Sequence, residues 1–452
     1  MQQCTQAFKA KFLRRVGLES ALIGIESEFP LVDKEGNAAL KEIVVKAFNH
    51  FKKKGWKAVI DSGTKQIVGV TKRINGFDVA FGTDVGDRII EVALPPAKTL
   101  FDALRYRSKI LKPIVKFFNK HDTYLLGYGI LPKEQPHKNL MANKGRYIFL
   151  EQDSGNTFVP KKQGVDLHVF TLPTASQTHI QVDRNNAINA MNVLNALSGV
   201  FLFLGANSPI WQGDIHSKGI RAIREWLWEV GWPTRPNQIG MLKPIKNFEA
   251  YINHLASFKP QMVKRGYEYF SLLNTTKTFA DLLVKKNVTA KTVKGEKIDI
   301  EIKLDDICFV GGFAWHNARI TSYGTVESRI CCQQLPSEPL AISALTLGLI
   351  SNLKKSNKLI KKKNFLFWKK LRRTALISRL ENHDHYVLSK DVLTIAKEGL
   401  KKRNHGEEIF LEPLFKRLKD KKAPADDIIK HFNKGGINSL VEFTMITLAS
   451  LI

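Results

Sequence analysis

The spacing of apolar and polar residues changes period several times along this chain. In "IGIESEFPLV", Ile23–Val32, the two kinds alternate, which predicts a strand with one buried face. The strand-like run begins at Leu22, and shorter ones follow at Val68–Thr71, Asp78–Phe81 and Arg88–Leu94. Helical spacing covers Glu42–Lys54 and Thr99–Lys120, and residues 1–20 read as a short amphipathic helix. A strand over Thr123–Leu131 is predicted to run into a long loop containing "KEQPHKNLMANKGRY". Alternation returns in "SQTHIQVD", Ser176–Asp183, before a long apolar helix, Asn186–Gly205, that stops at "ANSPIW". "GGFAWHNARI" and "GTVESRICC" read as a further strand region, and from Leu340 onward the pattern is mostly helical. Strands that do not alternate regularly with helices predict an α+β fold. No repeat, low-complexity linker or sharp change of composition precedes about residue 350. Residues 1–452 therefore read as one unit, with 354–452 a mainly helical C-terminal region on the same core or a small appendage to it.

Composition narrows the class. With 44% hydrophobic and 25% charged residues in 452, the chain can bury one large core or two. Cys4, Cys308, Cys331 and Cys332 have no metal-binding spacing, so a reduced, cytoplasmic protein is expected. The start, "MQQCTQAFKAKFLRRVGL", lacks the apolar segment of a secretory signal. Leu197–Ala206 and Leu340–Ile350 are too short to span a bilayer and are predicted to be buried helices, so no membrane partner is expected. The formal net charge of +28 raises the question of nucleic acid, and "KKSNKLIKKKNFLFWKKLRR", Lys354–Arg373, concentrates it. No nucleic-acid-binding motif accompanies the run, so a solvated basic surface is the expectation.

Chemistry enters at Glu26 and Glu28. On a strand they point the same way, and two like charges in apolar surroundings repel. Either a cation sits between them or the strand ends at water. Other charged or polar side chains also stand on strand-like segments: Asp84 and Glu91 in "GTDVGDRIIEVALP", Gln177, His179 and Gln181 in "SQTHIQV", and Glu327 and Arg329 in "GTVESRI". Any one of these acids could pair with a nearby arginine. Gathered on one sheet face, they carry too much negative charge to bury without cations, and oxygen-rich sites suit Mg²⁺ or Mn²⁺. A second, basic group comprises Arg146 in "KGRY", Arg221, Arg224 and Arg235 in "GIRAIREWLWEVGWPTR", and Arg319 in "WHNARITSYG". Trp226, Trp228 and Trp232 lie among them and could wall a pocket, although a helix with solvated arginines reads equally simply. The chain contains no phosphate-binding GxxxxGK[ST] loop, GxGxxG fingerprint or GxSxG elbow.

These segments resemble, in order, those of the glutamate–cysteine ligase family found in plants and many bacteria. "GIESEF" is similar to the family's opening strand, "LLGYGILPK" to a glycine-rich strand before Pro-Lys, and "KGRY", Lys144–Tyr147, to a short family segment. "TASQTHIQVD" and "ANSPIWQG", followed by Arg224, Trp228 and Arg235, resemble two more, and "YGTVESRI" resembles a strand of the related carboxylate–amine ligases. The tail "IAKEGLKKRN…FLEPL…APADDIIKHF" extends the likeness over most of the chain. The resemblance implies a curved, mostly antiparallel sheet forming a funnel of glutamine-synthetase type with helices outside. It also implies ATP-dependent joining of glutamate to cysteine or another amine. Carried over by position, Glu26, Glu28, Asp84, Glu91, His179 and Glu327 would hold Mg²⁺ or Mn²⁺, with Gln177 beside them. Arg146, Tyr147, Arg224, Trp228 and Arg235 would bind substrate, and Arg319 and Arg329 the nucleotide or transferred phosphate. The chain departs from the family pattern at Arg221-Ala222, where serine commonly precedes the Arg–Trp pair, and at "PNQIG" after Arg235.

Overall fold

In the computed structural model, residues 1–13, 21–273 and 276–451 are described. The predicted N-terminal helix forms as α1, Gln2–Leu13, and its expected continuation to residue 20 lies outside the described residues. The main sheet is built from β1 (Ile23–Val32), β2 (Lys57–Ile60), β3 (Ile67–Ile74), β4 (Phe77–Thr83), β5 (Ile89–Ala93), β6 (Tyr124–Leu125), β7 (Ala175–Gln181), β8 (Ala318–Ile320) and β9 (Thr325–Cys332). Its order is β8-β9-β7-β1-β5-β4-β3-β2, with β6 added beside β1, and every pairing is antiparallel.

Alternation decides which way each strand faces. Ile23, Ile25, Phe29 and Leu31 of β1, Ile90 and Val92 of β5, and Ile180 of β7 enter the main apolar core. Fully burying each such side chain contributes about 1.5–3 kcal/mol, so a one-residue slip that turned them to solvent would be prohibitive. Helices α2 (Lys41–Lys53), α3 (Leu100–Asn119) and α5 (Arg184–Gly205), with Ala341–Ser351, cover this face. The Thr99 hydroxyl caps α3 by accepting the Asp102 N–H at 3.1 Å, and the Asp183 carboxylate caps α5 through Asn185 and Asn186. Helix α5 is long and apolar enough to cross a membrane, but 89% of its apolar window is buried inside the protein, as a core helix. The helices from Ala341 onward contribute Leu345, Leu393, Leu400 and Leu414 to the same core as β1.

Three expectations need correction. The strand over Thr123–Leu131 shrinks to β6 and isolated bridges at Leu126 and Ile130. There the chain threads against other backbone: a Cβ on Gly127 would lie 2.6 Å from the Gln334 carbonyl oxygen. "GGFAWHNARI" does not begin as a strand, because a helical turn runs through Phe313 before the short strands Trp315–His316 and β8. The loop after residue 131 ends in a helix, α4 (Gly145–Gln152), which carries Arg146 and Tyr147. A separate four-stranded sheet, Met262–Arg265, Glu268–Leu272, Asn287–Lys291 and Lys297–Glu301, was not anticipated.

Candidate active site

With one sheet face given to the core, the opposite face carries the polar side chains, and strand register aligns them. Glu28 lies across from Glu91, Glu26 from Gln177, His179 from Glu327, and Glu327 from Arg319. Asp84 follows β4 in a tight turn closed by its N–H to the Ile89 carbonyl at 3.2 Å. A cavity of about 180 Å³ is bounded by Glu26, Glu28, Asp84, Glu91, Gln177 and Arg329, among others. Arg146, Tyr147, Trp228 and Arg319 also line it. Two further cavities, of about 370 Å³ and 640 Å³, meet it at Glu26.

The charges divide into two groups. At the β8–β9 side, Glu327 is fully buried and takes Arg319 Nε on one oxygen at 2.5 Å and Arg329 on the other. Burial works against its ionisation, but the two guanidiniums and His179 outweigh it and hold its pKa well below the carboxylate range. Burial likewise opposes the charged forms of Glu26 and His179; their mutual attraction prevails, lowering the acid's pKa and raising the imidazole's. His179 Nδ1 bonds Thr325 Oγ1 at 3.1 Å, which aims Nε2 at Glu26 Oε1, 3.3 Å away. That nitrogen is buried and makes no hydrogen bond of good geometry.

At the β1–β5 side the acids outnumber the cations. Burial first, then Asp84, pushes the Glu28 carboxyl up to about 8, although Arg224 and Arg329 pull the other way. Burial, Asp84, Glu26 and Glu28 together raise Glu91 well above its ordinary value. Glu28 keeps one oxygen on the Ala175 N–H at 2.7 Å and the other on the Gln177 amide, and Tyr147 donates to Asp84 at 3.2 Å. Lys144, whose charge burial disfavours, is drawn toward Glu91 and Asp84 and donates to the Thr83 carbonyl.

This donor set fits a hard divalent cation: carboxylate oxygens short of positive charge, and an imidazole nitrogen aimed at one of them. The residues do not form a single ready-made cage, since among the described residues no three His, Cys, Asp or Glu side chains cluster closely enough. Of the six expected ligands, Glu26, Glu28, Asp84 and Glu91 line the cavity of about 180 Å³, while His179 and Glu327 line the adjoining one of about 370 Å³ with Glu26, and two arginines hold Glu327. Mg²⁺ commonly binds through one or two carboxylates and substrate phosphates, so an open arrangement suits it.

The basic group separates as well. Arg146, Arg319 and Arg329 reach the cavity. Arg224 and Arg235 do not line it. Buried Arg224 is bound to Glu225 and to the Arg329 carbonyl at 3.0 Å, and so supports the strand beneath the site. The Arg235 guanidinium is committed to Asp153 and the Lys259 carbonyl. Arg221 is buried against Asp426 and ties the start of α6 (Ile223–Val230) to the C-terminal helix Pro424–Thr444. Ala222 cannot cap α6, and Ser208 supplies the missing oxygen, accepting the Arg224 N–H at 3.2 Å. Trp228 and Trp232 do wall the cavity, each packed on Phe170, with Trp315 stacked on Trp232 at 4.9 Å. Trp226 turns away to Phe158 and Trp211. Lys144, Phe170 and Trp315 escaped the sequence reading, although Lys144 stood within "KGRY" and Trp315 within "GGFAWHNARI".

A broad antiparallel sheet thus presents one open face on which acids, a histidine and arginines are gathered. The chain belongs to glutamate–cysteine ligase family 2, whose sequence profile matches residues 22–443. Its fold is similar to that of the glutamate–cysteine ligase of Francisella tularensis, solved in complex with AMP: TM-score 0.56, 13% identity, covering 95% of this chain and 88% of that one. It is also similar to a bifunctional glutathione synthetase from Pasteurella multocida, with TM-score 0.51 and 14% identity over 100% of this chain. The chain spans 53% of that enzyme's length. A search of curated protein sequences finds no significant match. At these identities the likeness carries the fold: the large antiparallel sheet with outer helices and a helical C-terminal region that the sequence predicts.

Proposed function

We propose that the protein is an ATP-dependent glutamate–cysteine ligase that forms γ-glutamylcysteine through a γ-glutamyl phosphate. The observation that carries this reading is the single cavity in which Glu26, Glu28, Asp84 and Glu91 face Arg146, Arg319 and Arg329. A carboxylate is a poor acyl donor, so its oxygen first attacks the terminal phosphorus of ATP and ADP leaves. The amine nitrogen then attacks the acyl carbon, and phosphate departs with its bridging oxygen. Arg319 and Arg329, which line the cavity, stabilise the charge on the transferring phosphoryl group. Arg146 takes the glutamate α-carboxylate, since Arg224 and Arg235 are already engaged. Glu26, His179, Glu28, Asp84, Glu91 and, once drawn from its arginines, Glu327 would hold Mg²⁺ or Mn²⁺. A bound ion there would neutralise phosphate oxygens and align them. The roomy cavity bordered by Leu22, Phe77, Leu94 and Pro96 takes the nucleoside, with its phosphates directed to Glu26.

A second reading within the same chemistry is a ligase for another amine. The aromatic wall of Phe170, Trp228, Trp232 and Trp315 favours it, because such a surface suits a larger acceptor than cysteine. The deciding assay measures ADP release with glutamate and ATP while scanning cysteine, 2-aminobutyrate and bulkier amines. Turnover greatest with cysteine supports the first reading and turnover confined to a bulky amine the second. No amine-dependent ADP release would overturn both.

A further inference from the structure

The basic run Lys354–Arg373 contains ten lysines and arginines and no acid, and the proposed catalysis uses none of them. Most are exposed, as a solvated surface requires, but the end of the run behaves differently. Arg372 is 1% exposed, and with Lys369 and Arg373 it lines a cavity of about 200 Å³. The cavity lies between the helix Phe365–Ile377, the end of α6 and the loop Pro236–Met241, and shares no lining residue with the catalytic cavity. Three cations there meet one lining carboxylate, Glu229, which takes Arg373 Nε at 2.7 Å and Arg372 Nη1. Arg372 Nη2 donates to the Glu225 carbonyl at 3.3 Å, and its Nε is buried without a hydrogen-bond partner.

We infer that this cavity binds a small polyvalent oxyanion, bearing phosphate or carboxylate groups, on Lys369, Arg372 and Arg373. An arginine fork matches either group in a planar, two-point contact. Three cations against Glu229 and Glu225, the latter shared with Arg224, leave positive charge for a ligand to neutralise, and the spare Arg372 donor remains to be satisfied. Glu229 is the internal competitor, so an incoming anion must draw at least one arginine away from it. The site also touches the catalytic face through a continuous polar chain: Glu229 to Arg372, Arg372 to Glu225, Glu225 to Arg224, and Arg224 to the Arg329 carbonyl. Occupancy would thus be felt at the arginine that faces Glu327, and by reciprocity filling the catalytic site would alter anion affinity.

The test is calorimetric titration of the full chain with pyrophosphate and, separately, citrate, at one low ionic strength. Wild type, K369Q/R373Q and E229Q are compared; the substituted lysine and arginine lie outside the catalytic cavity. Binding roughly ten- to a hundred-fold weaker in K369Q/R373Q is expected for lost charge-assisted bonds, and several-fold tighter binding in E229Q for lost competition. Loss confined to pyrophosphate assigns a phosphate-bearing ligand, and loss confined to citrate a carboxylate-bearing one. Equal affinity of wild type and K369Q/R373Q for both probes would overturn the inference and leave the catalytic cavity as the source of any binding. If E229Q fails to fold, the double variant alone decides.

Discussion

Replacing Glu28 with glutamine should change how the metal-free protein responds to pH. The Glu28 carboxyl titrates near 4.5 in an unfolded chain and near 8 in the folded site, where burial and Asp84 oppose its charge. Between those values the native state holds a proton that the unfolded state has released. Stability therefore falls as pH rises across the window, because the native state binds more protons. At about 1.4 kcal/mol per pKa unit the whole decline is on the order of 4–5 kcal/mol. E28Q has no proton to lose and retains an acceptor for the Ala175 N–H, so it removes this contribution. Urea unfolding of both proteins without divalent ions, from about pH 5 to pH 8, reads the difference. Wild type should lose midpoint with rising pH much more steeply than E28Q, and added Mg²⁺ or Mn²⁺ should flatten the wild-type profile. Parallel profiles for the two proteins would refute the argument that acids crowd this side of the site.

Glu327 should behave in the opposite sense, since its folded pKa is depressed: its stabilisation is present above the ordinary carboxylate value and lost as pH falls. At neutral pH, E327Q leaves two half-buried arginines without their shared carboxylate and should cost about 1–3 kcal/mol in urea unfolding, along with loss of ADP release. Steady-state kinetics of R146K should show a glutamate Michaelis constant raised roughly ten-fold or more with ATP far less affected; R235K should leave their ratio unchanged while lowering the urea midpoint. Neutralising Lys361, Lys362 and Lys363 together should keep ADP release within a few-fold of wild type, as their exposure requires.

The polar face of the sheet was readable because alternation is a local signal. Ile23, Ile25, Phe29 and Leu31 announce a buried face, and Glu26 and Glu28 must then share the other. Which strand adjoins which was not readable from alternation, yet the resemblance supplied the set that register aligns, from Glu91 to Arg319. The engagement of the arginines in and around α6 was not readable: Arg224 is taken by its neighbour Glu225, and the partners of Arg221 and Arg235 are remote in sequence. Arg235 answers to Asp153, 82 residues earlier, and Arg221 to Asp426, 205 residues later. The four-stranded sheet escaped notice for a different reason: strands such as "NVTAK" and "KIDIE" are short and largely exposed, so they carry few apolar positions to count. Within Lys354–Arg373 the sequence does not distinguish the solvated lysines from Arg372, whose burial depends on α6 folding against it.

The central claim is that the γ-carboxylate of glutamate is activated by phosphorylation before the amine attacks. Glutamate carrying a heavy oxygen isotope in its γ-carboxylate, incubated with ATP, cysteine and Mg²⁺, tests it most directly by mass spectrometry of the released phosphate. The account predicts one labelled oxygen per phosphate, formed in step with γ-glutamylcysteine. Phosphate free of label, or ATP turnover without an amide product, would contradict it.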